Sequence, residues 1–156
     1  MNGPEHIRQV IVDADACPRS ALRILQRLQR DYGFRLITVA SFHHQIEGTE
    51  HVMVGDAPDE ADLAVANRVR RGDIVVTQDW GLAALVLAKG AACLSPNGFT
   101  YSPDRIDFLL DERHVKAKHR RAGGRTRGPQ ARTAKDDEQF EKALRRLLDE
   151  PAVSGG

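Results

Sequence analysis

The chain has 156 residues, of which 41% are hydrophobic and 29% charged, as in an ordinary globular protein long enough to bury its own core. Its longest apolar stretch, residues 80–94, is interrupted by Lys89 and Gly90 and is too short to cross a membrane. The formal net charge is +1, but residues 113–135 contain nine of the 23 Lys and Arg residues and none of the 22 Asp and Glu residues.

Short apolar runs alternate with amphipathic segments along the first 98 residues. The helices are expected to close on glycines, because a helix commonly ends with a left-handed residue. Tight strand–helix repeats of this kind favour a parallel sheet covered on both faces. The predicted order is a strand at 10–12, a helix at 18–33, strands at 34–40 and 51–54, a helix at 59–72, a strand at 73–77, a helix at 81–89 and a strand at 91–94.

The pattern changes after residue 98. We expect a helix at 104–114, a glycine-rich loop at 122–129 and an amphipathic helix at 136–150, capped by Asp136 or Asp137. We therefore predict one α/β domain over residues 1–156, with a core at about 8–98 and a basic segment at about 99–132. Two cysteines cannot form a disulfide framework, and residues 1–9 lack the apolar run of a signal peptide, so a cytoplasmic protein is expected.

Several carboxylates are expected at one edge of this sheet. Asp13 and Asp15 follow the first strand and Asp79 follows a later one, and ligands of parallel sheets bind beyond the carboxyl ends of the strands. Asp62 shares the inward face of its helix with Val65. Asp59 and Glu60 lie beside it.

Carboxylates gathered in this way repel one another unless a cation neutralises them. A set of oxygen ligands favours Mg²⁺ or Mn²⁺, which also accept phosphate oxygens. Structural roles compete with this interpretation: Asp59 and Asp62 can form a capping box, and Asp15 can cap the helix that starts at Pro18. Asp13 and Asp79 are harder to explain as caps.

Five blocks of the sequence resemble the YaiI/YqxD family of bacterial proteins. They are Val12-Asp13-Ala14-Asp15-Ala16-Cys17-Pro18, Asp56-Ala57-Pro58-Asp59-Glu60-Ala61-Asp62, Thr77-Gln78-Asp79, Asn97-Gly98-Phe99 and the arginine-rich block at 120–129. That family in turn resembles PIN-like domains, whose members include metal-dependent ribonucleases. The resemblance implies a three-layer PIN-like α/β fold with a central parallel sheet.

The resemblance also implies roles for individual acids. Asp13, Asp62 and Asp79, with Thr77 two residues before the last, match the acids of a PIN-like site. The fourth acid is left open between Asp15, Asp59 and Glu60. We therefore predict catalytic roles for Asp13, Asp15, Asp62 and Asp79, and ligands of Mg²⁺ or Mn²⁺ among Asp13, Asp59, Asp62 and Asp79.

The basic segment is predicted to bind the substrate. Its cations suit phosphates, and its paired glycines allow backbone N–H groups to approach an anion. The expected substrate contacts are Thr77, Arg120, Arg121, Arg125, Thr126 and Arg127. Phe99 and Tyr101 are either core anchors or platforms for unpaired bases, and Trp80 is expected to cover the core.

A metal-dependent nuclease that acts on RNA rather than DNA is the leading functional hypothesis. A second hypothesis is a haloacid-dehalogenase-like phosphohydrolase, because Asp13-Ala14-Asp15, Gly55-Asp56 and Glu60 resemble its motifs, although Cys17 replaces the expected Thr or Val and no cap domain is present. A third is a non-catalytic RNA- or ribosome-binding module.

Overall fold

The computed structural model describes residues 7–41, 48–57, 59–104 and 131–150. Five strands and four α-helices lie within these ranges. The strands are β1 (Gln9–Asp13), β2 (Arg35–Ala40), β3 (Glu50–Met53), β4 (Ile74–Val76) and β5 (Ala92–Leu94). The helices are α1 (Arg19–Tyr32), α2 (Glu60–Arg68), α3 (Trp80–Ala88) and α4 (Ala134–Asp149), and a short 3₁₀ turn spans Ala14–Ala16.

All five strands pair in parallel in the order β3-β2-β1-β4-β5. The chain builds outward from β1 on one side and then returns to β1 on the other, so the strand order reverses between β1 and β4. The carboxyl edge at such a reversal is where open parallel sheets form ligand crevices. The register pairs Val12 with Val76, which brings Asp13 beside Thr77 at this edge.

The sheet is covered on both faces. The side chains of Val10 and Val12 pack in one core with α1 and α4, whereas Ile11 and Ile37 pack in a second core with α2 and α3. Both cores consist mainly of buried aliphatic side chains, as a parallel sheet between two helical layers requires. The predicted three-layer α/β fold with a central parallel sheet is confirmed.

Helix α2 ends earlier than the sequence predicted. Its last residue is Arg68 rather than a residue near Gly72, because Val69 leaves the helix with an extended backbone and buries its side chain. The carboxylate of Asp73 then accepts hydrogen bonds from the backbone N–H groups of Arg70 (2.8 Å) and Gln9 (3.1 Å). This buried carboxylate organises the turn into β4 and replaces the helical end expected at the glycine.

The cap of α4 also differs from the prediction. Thr133 is the N-cap, and its hydroxyl oxygen accepts a hydrogen bond from the N–H of Asp136, whose carboxylate accepts one from the N–H of Thr133. Asp136 therefore supplies the return bond of a capping box and does not cap the helix itself. Asp137 instead pairs with Arg132. The helix begins two residues before the predicted start for this reason.

None of the helices in the described ranges is long and apolar enough to span a bilayer. The predicted helix at 104–114 lies almost wholly outside the described residues, and the loop at 122–129 lies outside them entirely.

Candidate functional site at the carboxyl edge of the sheet

Thr77 links the two carboxylates that follow β1 and β4. Its hydroxyl donates a hydrogen bond to Oδ2 of Asp13 (3.1 Å) and accepts one from the backbone N–H of Asp79 (3.0 Å). The side chain of Thr77 is fully buried, and its carbonyl oxygen accepts a hydrogen bond from the hydroxyl of Tyr101 (3.3 Å). Asp13 and Asp79 are therefore held beside each other, as the sequence predicted, by a hydroxyl with little freedom to move.

Asp79 has a structural role that the sequence analysis did not anticipate. It is the N-cap of α3, and its Oδ1 accepts a hydrogen bond from the N–H of Leu82 (3.1 Å). The cap fixes the side chain and leaves Oδ2 for another partner. The Asp at the position before an apolar helical run was the available signal, because Asp is among the preferred N-cap residues.

Asp13 and Asp62 both carry raised pKa values. Burial raises the pKa of Asp13 most, with Asp15 and Asp79 adding to the rise and the hydrogen bond from Thr77 opposing it. Burial also raises the pKa of Asp62, followed by repulsion from Asp79, Asp13 and Asp59. These effects show that Asp13, Asp62 and Asp79 lie close enough to interact electrostatically. A bound cation would relieve the repulsion.

Asp15 is turned toward β2 rather than toward the other acids. Its two carboxylate oxygens both accept hydrogen bonds from the N–H of Ser41 (3.1 Å each), and Oδ1 also accepts one from the Ser41 hydroxyl (3.2 Å). It does not cap α1, whose N-cap is Pro18. Asp15 therefore fastens the 3₁₀ turn to the end of β2.

At the start of α2, Asp59 and Glu60 are exposed, whereas Asp62 is half-buried. Asp59 occupies the N-cap position of this helix without a side-chain hydrogen bond, so the capping box predicted for Asp59 and Asp62 does not form. The carboxylate of Glu60 lies directly against Gly55, where an added Cβ would stand 2.2 Å from Oε2. Asp62 is linked to both Asp13 and Asp79, because burial and then repulsion from these two carboxylates raise its pKa.

A cavity of about 710 Å³ opens beside the carboxylates. Asp13 and Asp79 lie in its wall together with three aromatic residues, which the sequence analysis assigned to the core or to stacking. Tyr101 is buried, whereas Trp80 and Phe99 are half-buried and face this space. The described residues that line it are Asp13, Ala16, Gln78, Asp79, Trp80, Ser95, Asn97, Phe99 and Tyr101.

The turn after β5 forms one side of this cavity. The hydroxyl oxygen of Ser95 accepts hydrogen bonds from the N–H groups of Asn97 (3.2 Å) and Phe99 (3.1 Å). The chain then runs back antiparallel to β5, with a bridge between Leu94 and Thr100. This reversal places Phe99 edge to face against Tyr101, with ring centroids 5.2 Å apart.

Arg132 braces the cavity rim from outside, a role that the sequence analysis did not identify. Its guanidinium donates to the side chains of Asn97 (3.0 Å), Ser20 (2.9 Å) and Asp137 (2.7 Å). Only 16% of its side chain is exposed. This cation of the basic segment is therefore used internally and connects α1, α4 and the turn after β5.

Cys17 lies next to the acids but is a packing residue. It packs against the core that contains α1 and α4. Burial raises the pKa of its thiol to about 12, with Arg132 opposing the rise and Asp13 adding to it. The thiol stays protonated at neutral pH, which agrees with the structural role expected from the sequence.

The donor set fits a hard cation that keeps part of its water shell. Within residues 7–41, 48–57, 59–104 and 131–150, no three His, Cys, Asp or Glu side chains converge on one point that could hold an ion. Mg²⁺ is usually bound by one or two carboxylates, waters and substrate phosphates, so Asp13 and Asp79 are the residues that could hold it. Repulsion from Asp79 and Asp13 contributes to the raised pKa of Asp62, so its charge also acts on this pair.

The predicted substrate contacts of the basic segment remain predictions. Arg120, Arg121, Arg125, Thr126 and Arg127 lie outside the described residues. Thr77, the remaining predicted contact, is buried and bonds to Asp13, Asp79 and Tyr101, so its observed role is to position the acids.

Comparison with known proteins identifies the relatives of this chain. The family model described as "Uncharacterized BCR, YaiI/YqxD family" matches residues 11–150. The chain belongs to the YaiI/YqxD family. It is 50% identical to a UPF0178 protein of Heliobacterium modesticaldum, with 91% of this chain and 97% of the relative covered. It is 44% identical to a UPF0178 protein of Exiguobacterium sibiricum, over 91% of this chain and 97% of that relative. No solved structure matches it.

The family match includes the whole candidate site. Residues 11–150 contain Asp13, Thr77, Asp79 and the cavity lining, together with Arg132 and α4. The blocks on which the sequence analysis based the resemblance therefore fall inside the matched region.

Proposed function

We propose that this YaiI/YqxD protein is a metal-dependent phosphodiesterase that cleaves nucleic acid, with RNA preferred over DNA. The pairing of Asp13 and Asp79 through Thr77, at the point where the strand order reverses, is the observation that carries the proposal. The hydroxyl of Thr77 holds Asp13, and the N-cap hydrogen bond of α3 holds the side chain of Asp79. Preorganised charge of this kind is what phosphoryl chemistry requires.

Asp13 and Asp79 would hold Mg²⁺ or Mn²⁺, with Asp62 bound through water. The helix cap uses Oδ1 of Asp79, so Oδ2 is the oxygen that would bind the cation. When bound, the cation supplies a Lewis acid that polarises the phosphoryl group of the substrate. The raised pKa values of Asp13 and Asp62 support this assignment, because carboxylates that repel one another gain most from a cation.

One of the acids can also accept the proton that the attacking water releases during hydrolysis. A water oxygen forms a bond to phosphorus and gives up a proton to a carboxylate, while one ester oxygen departs with the electron pair of its broken bond and takes up a proton from solvent. Asp62 is half-exposed and its raised pKa makes it a better proton acceptor than an ordinary surface aspartate. Asp59 is exposed nearby and remains the candidate for the fourth acid, whereas Asp15 is bonded to Ser41 through both oxygens.

The preference for RNA rests on the PIN-like resemblance and on the basic segment. Nine Lys and Arg residues between 113 and 135 supply charge that would hold a phosphate backbone, and their effect should weaken with salt. A cytoplasmic location, expected from the cysteines, would give the protein access to RNA.

The phosphomonoesterase alternative has weaker support in the fold. Its late acidic motif, Gly55-Asp56, follows β3, which is the edge strand and is separated from β1 by β2. The acids that raise the pKa of Asp13 are Asp15 and Asp79, so its close partner follows β4 instead. Hydrolysis of a generic phosphomonoester that disappears in Asp13→Asn would favour this alternative.

Cleavage of a labelled single-stranded RNA tests the proposal. The full chain is incubated with Mn²⁺, and the double variant Asp13→Asn/Asp79→Asn is purified and assayed in parallel. The matched control is Asp31→Asn/Glu138→Gln, which removes two exposed carboxylates outside the site. We expect the wild type and the control to cleave RNA faster than single-stranded DNA, and the site variant and chelator-treated protein to be inactive.

Two results would count against a nuclease. Equal degradation by the wild type and the site variant would identify a contaminating ribonuclease. Salt-dependent RNA binding that persists in chelator, with no turnover under any metal, would instead favour the non-catalytic binding module.

A further inference from the structure

The cavity beside the carboxylates combines flat apolar walls with a small number of polar groups. Trp80 and Phe99 are half-buried, so part of each ring faces the open space. Among the residues that the structure describes, Asp13 and Asp79 are the charged members of its lining, and these residues contribute no Lys or Arg to it. The aromatic part of this space therefore suits a neutral planar group, and it would repel an anionic one that arrives without a cation.

Hydrogen bonds at the rim of the cavity distinguish the oxygen from the NH₂ group in the side-chain amides of Asn97 and Gln78. Arg132 has only donors, so its bond to Asn97 identifies the amide oxygen and leaves the NH₂ group of Asn97 for a ligand. The NH₂ group of Gln78 donates to the carbonyl oxygen of Ala16 (3.0 Å), which leaves the amide oxygen of Gln78 as an acceptor. Both residues are exposed and line the cavity. Among the described residues, Asn97 therefore offers a donor at the rim and Gln78 an acceptor.

From these groups we infer that the cavity binds one unpaired nucleobase of a single-stranded nucleic acid. The base would lie next to the phosphate that is cleaved at Asp13 and Asp79. The inference rests on the proposed function for the position of that phosphate. The base would stack on Phe99 or Trp80 and use its edge to meet Asn97 and Gln78. Each of the common bases carries an adjacent donor and acceptor on its pairing edge, so the site accepts any unpaired base.

The volume agrees with this ligand. A cavity of about 710 Å³ lies within the range of roughly 300–1,000 Å³ that small-molecule sites occupy. A base in a duplex is stacked on its neighbours and its edge is paired, so it would have to leave the helix before it could enter. The substrate class that follows is a single strand, a loop or a frayed end.

Trp80 provides a direct readout, because it is the chain's only tryptophan and lines the cavity. The full chain is titrated in chelator, which prevents turnover, with a single-stranded pentanucleotide and with an abasic sugar-phosphate chain of the same length and charge. Repulsion between the phosphates and the carboxylates weakens both ligands alike in chelator, so the difference between them reports the base alone. We expect the base-bearing strand to change the Trp80 fluorescence and to bind about 5- to 150-fold more tightly, the range measured for one stacked base. The same sequence held in a duplex should bind like the abasic chain.

Two variants test whether the preference for the base-bearing chain over the abasic chain arises in the cavity. Phe99→Leu removes a ring while keeping apolar volume, and Asn97→Asp removes the donor while keeping an oxygen for Arg132. We expect either variant to reduce the ratio between base-bearing and abasic affinity by roughly tenfold. Leu85→Ala, which alters an exposed side chain outside the cavity, should leave it unchanged. If Phe99→Leu does not fold, Asn97→Asp decides the result, because Asn97 is exposed.

Equal affinity for the base-bearing and abasic chains would overturn the base site, even if the protein cleaves RNA. A clear preference for the base-bearing strand without cleavage under any metal would leave the base site standing and refute the nuclease. A preference that Phe99→Leu and Asn97→Asp both retain would place base binding elsewhere and also overturn the inference.

Discussion

The hydroxyl of Thr77 donates a 3.1 Å hydrogen bond to Oδ2 of Asp13 across two neighbouring strands of the sheet. The same hydroxyl accepts the backbone N–H of Asp79, so a single oxygen orients one carboxylate and the entry into α3 that carries the other. Because Thr77 is fully buried, neither bond can be replaced by solvent. The geometry of the candidate site therefore depends on a residue that need not touch the substrate.

Replacing Thr77 with Val should separate this positioning role from general folding. The variant keeps the shape but leaves an Asp13 oxygen and the Asp79 N–H without their partner, which costs roughly 1–3 kcal/mol of unfolding free energy. We expect RNA cleavage to fall by at least about tenfold, because misplaced reacting groups lose rate steeply. Thr77→Ser keeps the hydroxyl and should retain most of the activity. Equal loss in both variants, measured by initial rates, would contradict the positioning role.

Asp79 has two roles that different substitutions can separate. Asn caps helices about as well as Asp, so Asp79→Asn should melt within a few degrees of the wild type while losing cleavage. Asp79→Ala loses the cap as well, and its unfolding free energy should fall by about 1 kcal/mol relative to Asp79→Asn. Urea unfolding and cleavage assays on the same preparations measure both effects. Full activity in Asp79→Asn would remove Asp79 from the metal site.

The sheet was predictable because its strands are continuous apolar runs that only full burial explains. The same logic placed Asp13 and Asp79 at one edge, since each directly follows such a strand. The link through Thr77 was not predictable at this level, because it depends on the register between β1 and β4. The position of Asp79 directly before α3 also predicts an N-cap, and the structure shows that a cap and a metal ligand can be the same residue only through different carboxylate oxygens.

Other parts of the site depend on contacts between distant segments. Asp15 lies beside the predicted cluster in sequence, yet the twist of the 3₁₀ turn directs it to Ser41 at the end of β2. Arg132 appears in the sequence as one cation of a basic run, and only the packing of α4 against α1 shows that it braces Asn97. Local pattern carries no information on such pairings.

Removing the charge of Asp13 should stabilise the protein. Its pKa is raised in the folded state, so the folded protein favours the protonated form; that contribution is complete below the ordinary carboxyl pKa of 3.8 and is lost as the pH rises through the raised pKa. At neutral pH the charged carboxylate is therefore a cost, reduced by its partial exposure to solvent. We therefore expect Asp13→Asn to melt at a higher temperature than the wild type at pH 7.

The pH series distinguishes this effect from a change in packing. The melting temperatures of the wild type and Asp13→Asn should converge as the pH falls toward the ordinary carboxyl range, because Asp13 then carries a proton in the folded wild type too. A constant difference at every pH would point to packing. A lower melting temperature for Asp13→Asn at pH 7 would contradict the prediction outright.

Mn²⁺ should stabilise the wild type through the same carboxylates. A ligand at 100 times its dissociation constant adds about 2.7 kcal/mol to the unfolding free energy, if it binds only the folded chain. The gain should shrink as the pH falls through the raised pKa values of Asp13 and Asp62, because protons then compete with the metal. The difference between the melting temperatures in Mn²⁺ and in chelator, recorded at several pH values, measures this gain in stability. Asp13→Asn/Asp79→Asn should show no gain, and an equal gain there would place the ion elsewhere.

Gly98 joins the cavity turn to α4, and its replacement should destabilise the fold more than that of another left-handed glycine. Gly98 has φ of +89°, and a Cβ there would stand 2.5 Å from the carbonyl oxygen of Gln139. Gly33 has φ of +77° with no atom within 4 Å of the same position. Gly33→Ala should therefore cost only the left-handed backbone penalty of about 1–2 kcal/mol. Gly98→Ala should add roughly 1–3 kcal/mol of steric strain to that.

Urea unfolding of the two alanine variants measures this difference, and the slope of the transition shows whether unfolding remains cooperative. Because the backbone penalty is common to both, the excess loss in Gly98→Ala reports the close contact between the turn after β5 and α4. That contact also positions Asn97, so Gly98→Ala should weaken the Trp80 fluorescence response to single strands while Gly33→Ala does not. Equal destabilisation by the two substitutions would show that the turn and α4 are not packed as closely as the fold described here requires.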